Sequence, residues 1–71
     1  MNKEVEGIII REKDYGDTSK IIDIFTKEHG IIGVIAKGAK ILKSPLRSVT
    51  SKFTYGLFNI YYKENKLSTL K

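Results

Sequence analysis

Ile31-Ile32-Gly33-Val34-Ile35-Ala36-Lys37-Gly38-Ala39-Lys40-Ile41-Leu42-Lys43-Ser44-Pro45-Leu46-Arg47-Ser48-Val49-Thr50 decides how this chain folds, because two kinds of pattern meet inside it. From Ile31 to Lys37 both parities are apolar: Ile32, Val34 and Ala36 share one side, and Ile31, Gly33 and Ile35 share the other. A strand with two apolar faces is covered on both sides or wrapped into a closed sheet. Gly38 interrupts it. Ser44 then reads as a helix N-cap and Pro45 as a first helical residue, since proline lacks the N–H that the first turn leaves unpaired anyway. The pattern predicts one or two helical turns over Pro45 to Thr50, with Leu46, Val49 and Leu42 laid against a sheet.

Working outward, two strands precede this stretch. The first spans Glu4 to Lys13, with Val5, Ile8, Ile9 and Ile10, and closes at the polar cluster Asp14-Tyr15-Gly16-Asp17. The second spans Ser19 to Thr26, with Ile22 and Ile24 on one face and Ile21, Asp23 and Phe25 on the other. Lys27-Glu28-His29-Gly30 reads as a hairpin loop with Gly30 in the left-handed region. Two strands follow. Lys52 to Lys63 changes apolar phase beside Gly56, from Phe53, Tyr55 and Leu57 to Phe58, Ile60 and Tyr62. Period two does not permit such a flip in a regular strand, so a bulge or bend at Gly56 is expected. Glu64-Asn65 makes a tight turn into a last strand from Lys66. Three meandering strands, a short helical connector and two more strands are the serial order of an all-β OB-fold, a five-stranded partly open barrel. An SH3-like barrel is the nearest rival, and the connector favours the OB arrangement.

Seventy-one residues make one domain, 1–71, which buries only about 60% of its unfolded surface. The 41% hydrophobic content is that of a globular protein and not of a disordered tail. With no cysteine, disulfides and a cysteine-based zinc site are excluded within the segment, in keeping with a reducing compartment. The longest apolar runs, such as Ile8 to Ile10, are far too short to cross a bilayer, and the charged start lacks the apolar segment of a signal peptide. The reading is a soluble intracellular protein without membrane contact. Because the pattern is still strand-like at Leu70-Lys71, the natural protein is expected to continue on the C-terminal side.

Charge is concentrated. Residues 1–28 carry a net −2 and residues 29–71 a net +7, with no acidic residue between Glu28 and Glu64. Such a field attracts polyanions, phosphate backbones first. Lys37, Lys40 and Lys43 recur at intervals of three beside the small residues Gly38 and Ala39, and Arg47 and Lys52 continue the stripe. An extended single strand needs cations for its phosphates and π-faces for its bases. Tyr55, Tyr61 and Tyr62 are the rings expected at the surface, because a phenol tolerates water. Phe25, Phe53 and Phe58 read as core. Catalysis has little to work with: one histidine, His29, lies in a turn, and no carboxylate pair or metal-ligand spacing is visible. Gly33, Gly38 and Gly56 match no phosphate-cradling loop. Neither enzyme activity nor a cofactor is expected.

Tyr15-Gly16-Asp17-Thr18-Ser19, then Ile21-Ile22-Asp23-Ile24-Phe25-Thr26-Lys27-Glu28-His29-Gly30, then Val34-Ile35-Ala36-Lys37-Gly38-Ala39-Lys40 resemble the N-terminal domain of RecO. RecO proteins are bacterial recombination mediators of the RecF repair pathway. Lys43-Ser44-Pro45-Leu46-Arg47 followed by Phe53-Thr54 continues the likeness over most of the chain. The resemblance implies an OB-fold that binds single- and double-stranded DNA and anneals complementary strands. It implies partnership with RecR, contact with the single-stranded DNA-binding protein SSB, help in loading RecA, and a place in the cytoplasm with the bacterial nucleoid. It gives Lys37, Lys40, Lys43 and Arg47 the DNA-facing role. Family members continue into a helical domain, often with a cysteine zinc motif, which lies beyond this chain; much of the SSB contact belongs there. Physics alone leaves open an RNA-binding OB module, or a basic domain docking an acidic protein. The Tyr15–Ser19 loop is explained by turn chemistry, with Asp17 or Ser19 bonding nearby amides.

Overall fold

The computed structural model describes residues 1–71. Its elements are β1 (Asn2–Tyr15), β2 (Ser19–Thr26), β3 (Gly30–Ala36), the helical turn α1 (Leu46–Val49), β4 (Tyr55–Tyr61) and β5 (Ser68–Leu70). The strands close in the order β1-β2-β3-β5-β4 and back to β1. This is the OB arrangement, with the helical connector between β3 and β4 as expected. The ring is complete rather than partly open, although its β3–β5 seam consists of two parallel pairs, Val34 with Ser68 and Ile35 with Thr69. No helix is long and apolar enough to cross a membrane.

β1 is the strand that makes closure work. Its first half pairs with β4, from Asn2 opposite Tyr61 to Ile8 opposite Tyr55. Its second half pairs with β2, from Gly7 opposite Thr26 to Tyr15 opposite Ser19. A straight 14-residue strand would measure roughly 43 Å, beyond the longest Cα extent of 31 Å. β1 therefore bends, and the register slips between Ile9 and Arg11. The expected kink at Gly56 is thus misplaced. β4 keeps unbroken register with β1 through Gly56, and a Cβ there would meet nothing within 4 Å. The apolar phase change arose because β4 is apolar on its outer face too: Tyr55 and Leu57 are exposed, while Phe58 and Ile60 point inward. Gly7, by contrast, is required. A Cβ built there would lie 2.5 Å from the Phe25 carbonyl oxygen, so only glycine lets β2 come that close.

The core gathers Val5, Ile9, Ile22, Ile24, Val34, Ala36, Ala39, Phe58, Ile60 and Leu70, with Ile32, Leu46 and Tyr62 packed on it. Thr26, buried in the wall, donates through Oγ1 to the Gly30 carbonyl (2.7 Å) and accepts from the His29 amide (2.9 Å), which shapes the hairpin around a left-handed Gly30. Two of the three phenylalanines depart from the core reading. Phe58 is buried, but Phe25 is 55% exposed and Phe53 is 69% exposed. The connector forms one helical turn within the expected Pro45–Thr50 range. Pro45 takes the cap position with αR angles, while the Ser44 hydroxyl still accepts from the Leu46 amide (3.1 Å). Thr50 closes the other end by donating to the Leu46 carbonyl (2.6 Å). Four residues bury one face only, so Leu46 packs inward and Val49 and Leu42 stay exposed.

Candidate nucleic-acid interface

The β1 bulge has a chemical consequence at one mouth of the barrel. Ile9 faces Ile24 before it, and Glu12 faces Ile22 after it. Cross-strand partners share a face. The extra residue therefore turns Glu12 toward the inner side, although a regular strand carrying Ile9 inward would send Glu12 outward. There its Oε1 accepts from the Lys20 ammonium (2.8 Å) and its Oε2 from the Lys52 backbone amide (2.7 Å). These two bonds, Lys20 first, hold the Glu12 carboxyl below the usual carboxylate range. Lys20 keeps only 12% of its side chain exposed. The connector is pinned beside this pair: the Lys40 amide donates to the Thr18 carbonyl (2.9 Å), the Gly38 amide to Ser19 Oγ (3.3 Å), and the Lys40 ammonium pairs with Asp14 (3.0 Å). The Tyr15–Ser19 loop thus serves as an anchor for the connector: Ser19 bonds the distant Gly38 amide rather than a neighbouring one, and Asp17 makes no bond.

Between hairpin and connector lies a groove of about 550 Å³ lined by Lys20, Leu42, Ser44, Arg47, Ser48 and Ser51. Two cations and three hydroxyls suit phosphate oxygens. The carboxylates nearest the connector are already committed, Glu12 to Lys20 and Lys52, and Asp14 to Lys40. The side-chain cations of Lys37, Lys43, Arg47 and Lys52 make no ion pair within 4 Å, since the ion pairs of the chain are Arg11–Asp23, Lys20–Glu12 and Lys40–Asp14.

The turn from Ser51 to Thr54 leads from this groove into β4, closed by the Thr54 amide on the Ser51 carbonyl (3.1 Å). Its third residue is Phe53, at φ 73°. That position favours glycine or asparagine, and a bulky side chain there costs on the order of 1–3 kcal/mol. The Lys52 ammonium lies 5.2 Å from the Phe53 ring centroid, a contact that returns roughly 0.5–1 kcal/mol when exposed. The turn is held in spite of its strain by three bonds to β1. Lys52 N donates to Glu12, Phe53 N to the Ile9 carbonyl (2.6 Å), and Ile9 N to the Thr54 carbonyl (2.9 Å).

The residues expected from sequence to form one site divide. Of these, Arg47 alone lines the groove, Lys52 follows the lining residue Ser51 in the turn beside it, Lys37 and Lys43 are exposed on the same connector, and Lys40 is tied down by Asp14. Tyr55 opens β4, where its hydroxyl donates to Glu6, a bond that pushes its own pKa up. Tyr61 is opposite Asn2 at the far end, six residues and about 20 Å from Tyr55, so it does not belong to the groove. At that end the Lys3 ammonium donates to His29 Nε2 (3.2 Å), the His29 ring stacks on Tyr62 at 5.0 Å, and Lys63 lies 5.9 Å from the Tyr61 ring centroid. Lys20 escaped the sequence reading because it precedes the basic stretch, and Phe53 because apolar character was taken for burial. Across the outer wall, register aligns Tyr55, Ile8, Phe25 and Ile31 in one row over four strands.

The family model described as the N-terminal domain of recombination protein O matches residues 1–71. The DNA repair protein RecO of Halalkalibacterium halodurans is 47% identical over 70 residues, 99% of this chain and 27% of that protein. That of Bacillus subtilis is 46% identical over 71 residues, 100% of this chain and 28% of that protein. That of Listeria monocytogenes is 45% identical over 69 residues, 97% and 27% respectively. The chain thus spans little more than a quarter of the length of these relatives.

Proposed function

Because the chain belongs to the RecO family, whose N-terminal domain it matches from end to end, we propose that it binds DNA in recombinational repair through the connector face. The observation that carries this reading is the state of the charges there. The charged groups of Lys37, Lys43 and Arg47 have no acidic partner and the Lys52 ammonium makes no ion pair, while the neighbouring carboxylates are neutralised by other cations. A surface built only for solubility pairs its charges more evenly. Phosphate contacts of this kind position a strand without reading its sequence. The reading assigns no catalysis to the chain and a cytoplasmic setting. Annealing of complementary strands, RecA loading with RecR, and SSB contact enter the proposal from the family alone, the last through a region beyond this domain.

If about four cations neutralise phosphates, log K falls against log salt with a slope near −3 for single strands. Replacing Lys37→Glu together with Lys43→Glu, both exposed and free of structural bonds, is expected to weaken oligonucleotide binding about tenfold or more at low salt and to flatten that slope. Fluorescence anisotropy at two ionic strengths measures both. Unchanged affinity with an unchanged melting temperature overturns the reading, and a preference for RNA over DNA of equal length replaces it with an RNA-binding one.

One observation supports a protein-docking role beside DNA binding. The row of Tyr55, Ile8, Phe25 and Ile31 places apolar side chains on the outer wall, and none of the four lines the connector groove. Binding of RecR that persists without nucleic acid and is lost in Phe25→Ser supports that role.

A further inference from the structure

We propose that Phe53 is a stacking platform for an unpaired base, which makes single-stranded nucleic acid the preferred ligand of the connector groove. The inference rests on the reading of that face as DNA-binding and adds the feature that discriminates among DNA forms. It begins from a conflict in the structure. A phenylalanine occupies the left-handed third position of the Ser51–Thr54 turn, where its backbone is strained, yet its ring is 69% exposed and so gains little from burial. Strain that packing does not reward clusters at functional sites.

Placement supplies the function. Ser51 lines the groove beside Arg47, Ser48 and Lys20, and the ring follows two residues later. A strand whose phosphates meet the guanidinium and hydroxyls has its next base within reach of the ring. Lys52 lies over the same ring at 5.2 Å, so a cation also stands beside the base that would stack there. The platform is rigid, because residues 52, 53 and 54 each make a backbone bond with β1 or its Glu12 carboxylate. Stacking on a ring is open to any base that is out of a duplex and closed to one that is inside it, so it separates single strands from duplexes without reading sequence.

Two substitutions in the 71-residue chain test this. Phe53→Gly removes the ring and relieves the backbone, so the protein stays folded; Phe53→Trp keeps a π-face. With a labelled oligothymidylate, Phe53→Gly is expected to lower affinity about fivefold or more while leaving affinity for a blunt hairpin duplex unchanged. Phe53→Trp is expected to retain single-strand affinity. On an abasic strand of equal charge the glycine variant and the parent are expected to bind alike. Equal losses on single strand and duplex overturn the inference, as does unchanged single-strand affinity, which would leave the ring to a protein partner. Failure of the underlying reading looks different. Lys37→Glu with Lys43→Glu would then leave both ligands unaffected, whereas loss in that variant without loss in Phe53→Gly retires the platform alone.

Discussion

The turns that lead into the last two strands both hold a left-handed non-glycine residue, Phe53 at φ 73° before β4 and Asn65 at φ 62° before β5. Asparagine visits that region at little cost because its short amide bonds locally, and turns of this kind select it. Phenylalanine has no such compensation. The same backbone geometry is therefore ordinary turn chemistry at one end of β4 and imposed strain at the other. What differs is the support. The Asn65 turn is bridged by one local bond, from the Lys63 amide to Ser68 Oγ (3.0 Å), while the Phe53 turn is bonded to Ile9 and Glu12 of the distant strand β1.

Removing that framework is the harshest way to break the contrast. Gly7→Val would put a side chain where the Phe25 carbonyl leaves 2.5 Å, so β1 and β2 must separate. A loss of about 3 kcal/mol or more is expected, read as the absence of a cooperative melting transition in so small a domain. Glu12→Ala is milder and more selective, since it frees the Lys52 amide and leaves the largely covered Lys20 ammonium unpaired. A loss of about 1 kcal/mol is expected, discounted for a carboxylate that is partly in water. The pH dependence carries the same sign. The folded Glu12 carboxyl titrates below its ordinary value of 4.5, so its contribution is present above about pH 4.5 and disappears as the pH falls through the depressed value. Glu12→Gln should remove that part of the acid limb in urea titrations between pH 3 and 5, whereas an identical limb in the variant would contradict the assignment.

Substituting the two turn residues sharpens the contrast directly. Phe53→Gly is expected to raise stability by about 1 kcal/mol, because strain relief outweighs the added freedom of the unfolded chain. Asn65→Gly is expected to change it by less than about 0.5 kcal/mol. Equal effects in calorimetry would mean that the phenylalanine turn carries no special strain. Smallest of all, Gly56→Val is expected to fall within about 0.5 kcal/mol of the parent, because its Cβ enters open space on a strand of even register.

These positions also mark where the amino-acid pattern was sufficient and where it was not. Alternation located β2 from Ser19 to Thr26, and the Gly38, Ser44 and Pro45 signals located the connector. Alternation says which side chains share a face, but it cannot say which face is inside when both are apolar. That is why the outer stripe of β4 reads as a phase change in the sequence, and why Phe25 and Phe53 read as core though both are exposed. The bulge in β1 has no glycine or proline to announce it; it follows from forcing a long strand to serve two neighbours. The division of the lysines was equally hidden. Lys40 meets Asp14 and Glu12 meets Lys52 only after the hairpin and the connector are brought together, and such pairs leave no trace in local spacing.

A ring fastened by two pairs between Val34–Ile35 and Ser68–Thr69 behaves like a belt with a small buckle. If those bonds part, β1, β2 and β3 keep their long ladders, and β5 stays tied only to the end of β4, which remains paired with β1. Amide hydrogens of Ser68 and Thr69 should then exchange with solvent far sooner than those of Ile22 and Ile24, at a free-energy cost well below global unfolding. That seam is therefore where an otherwise edgeless barrel is expected to open first.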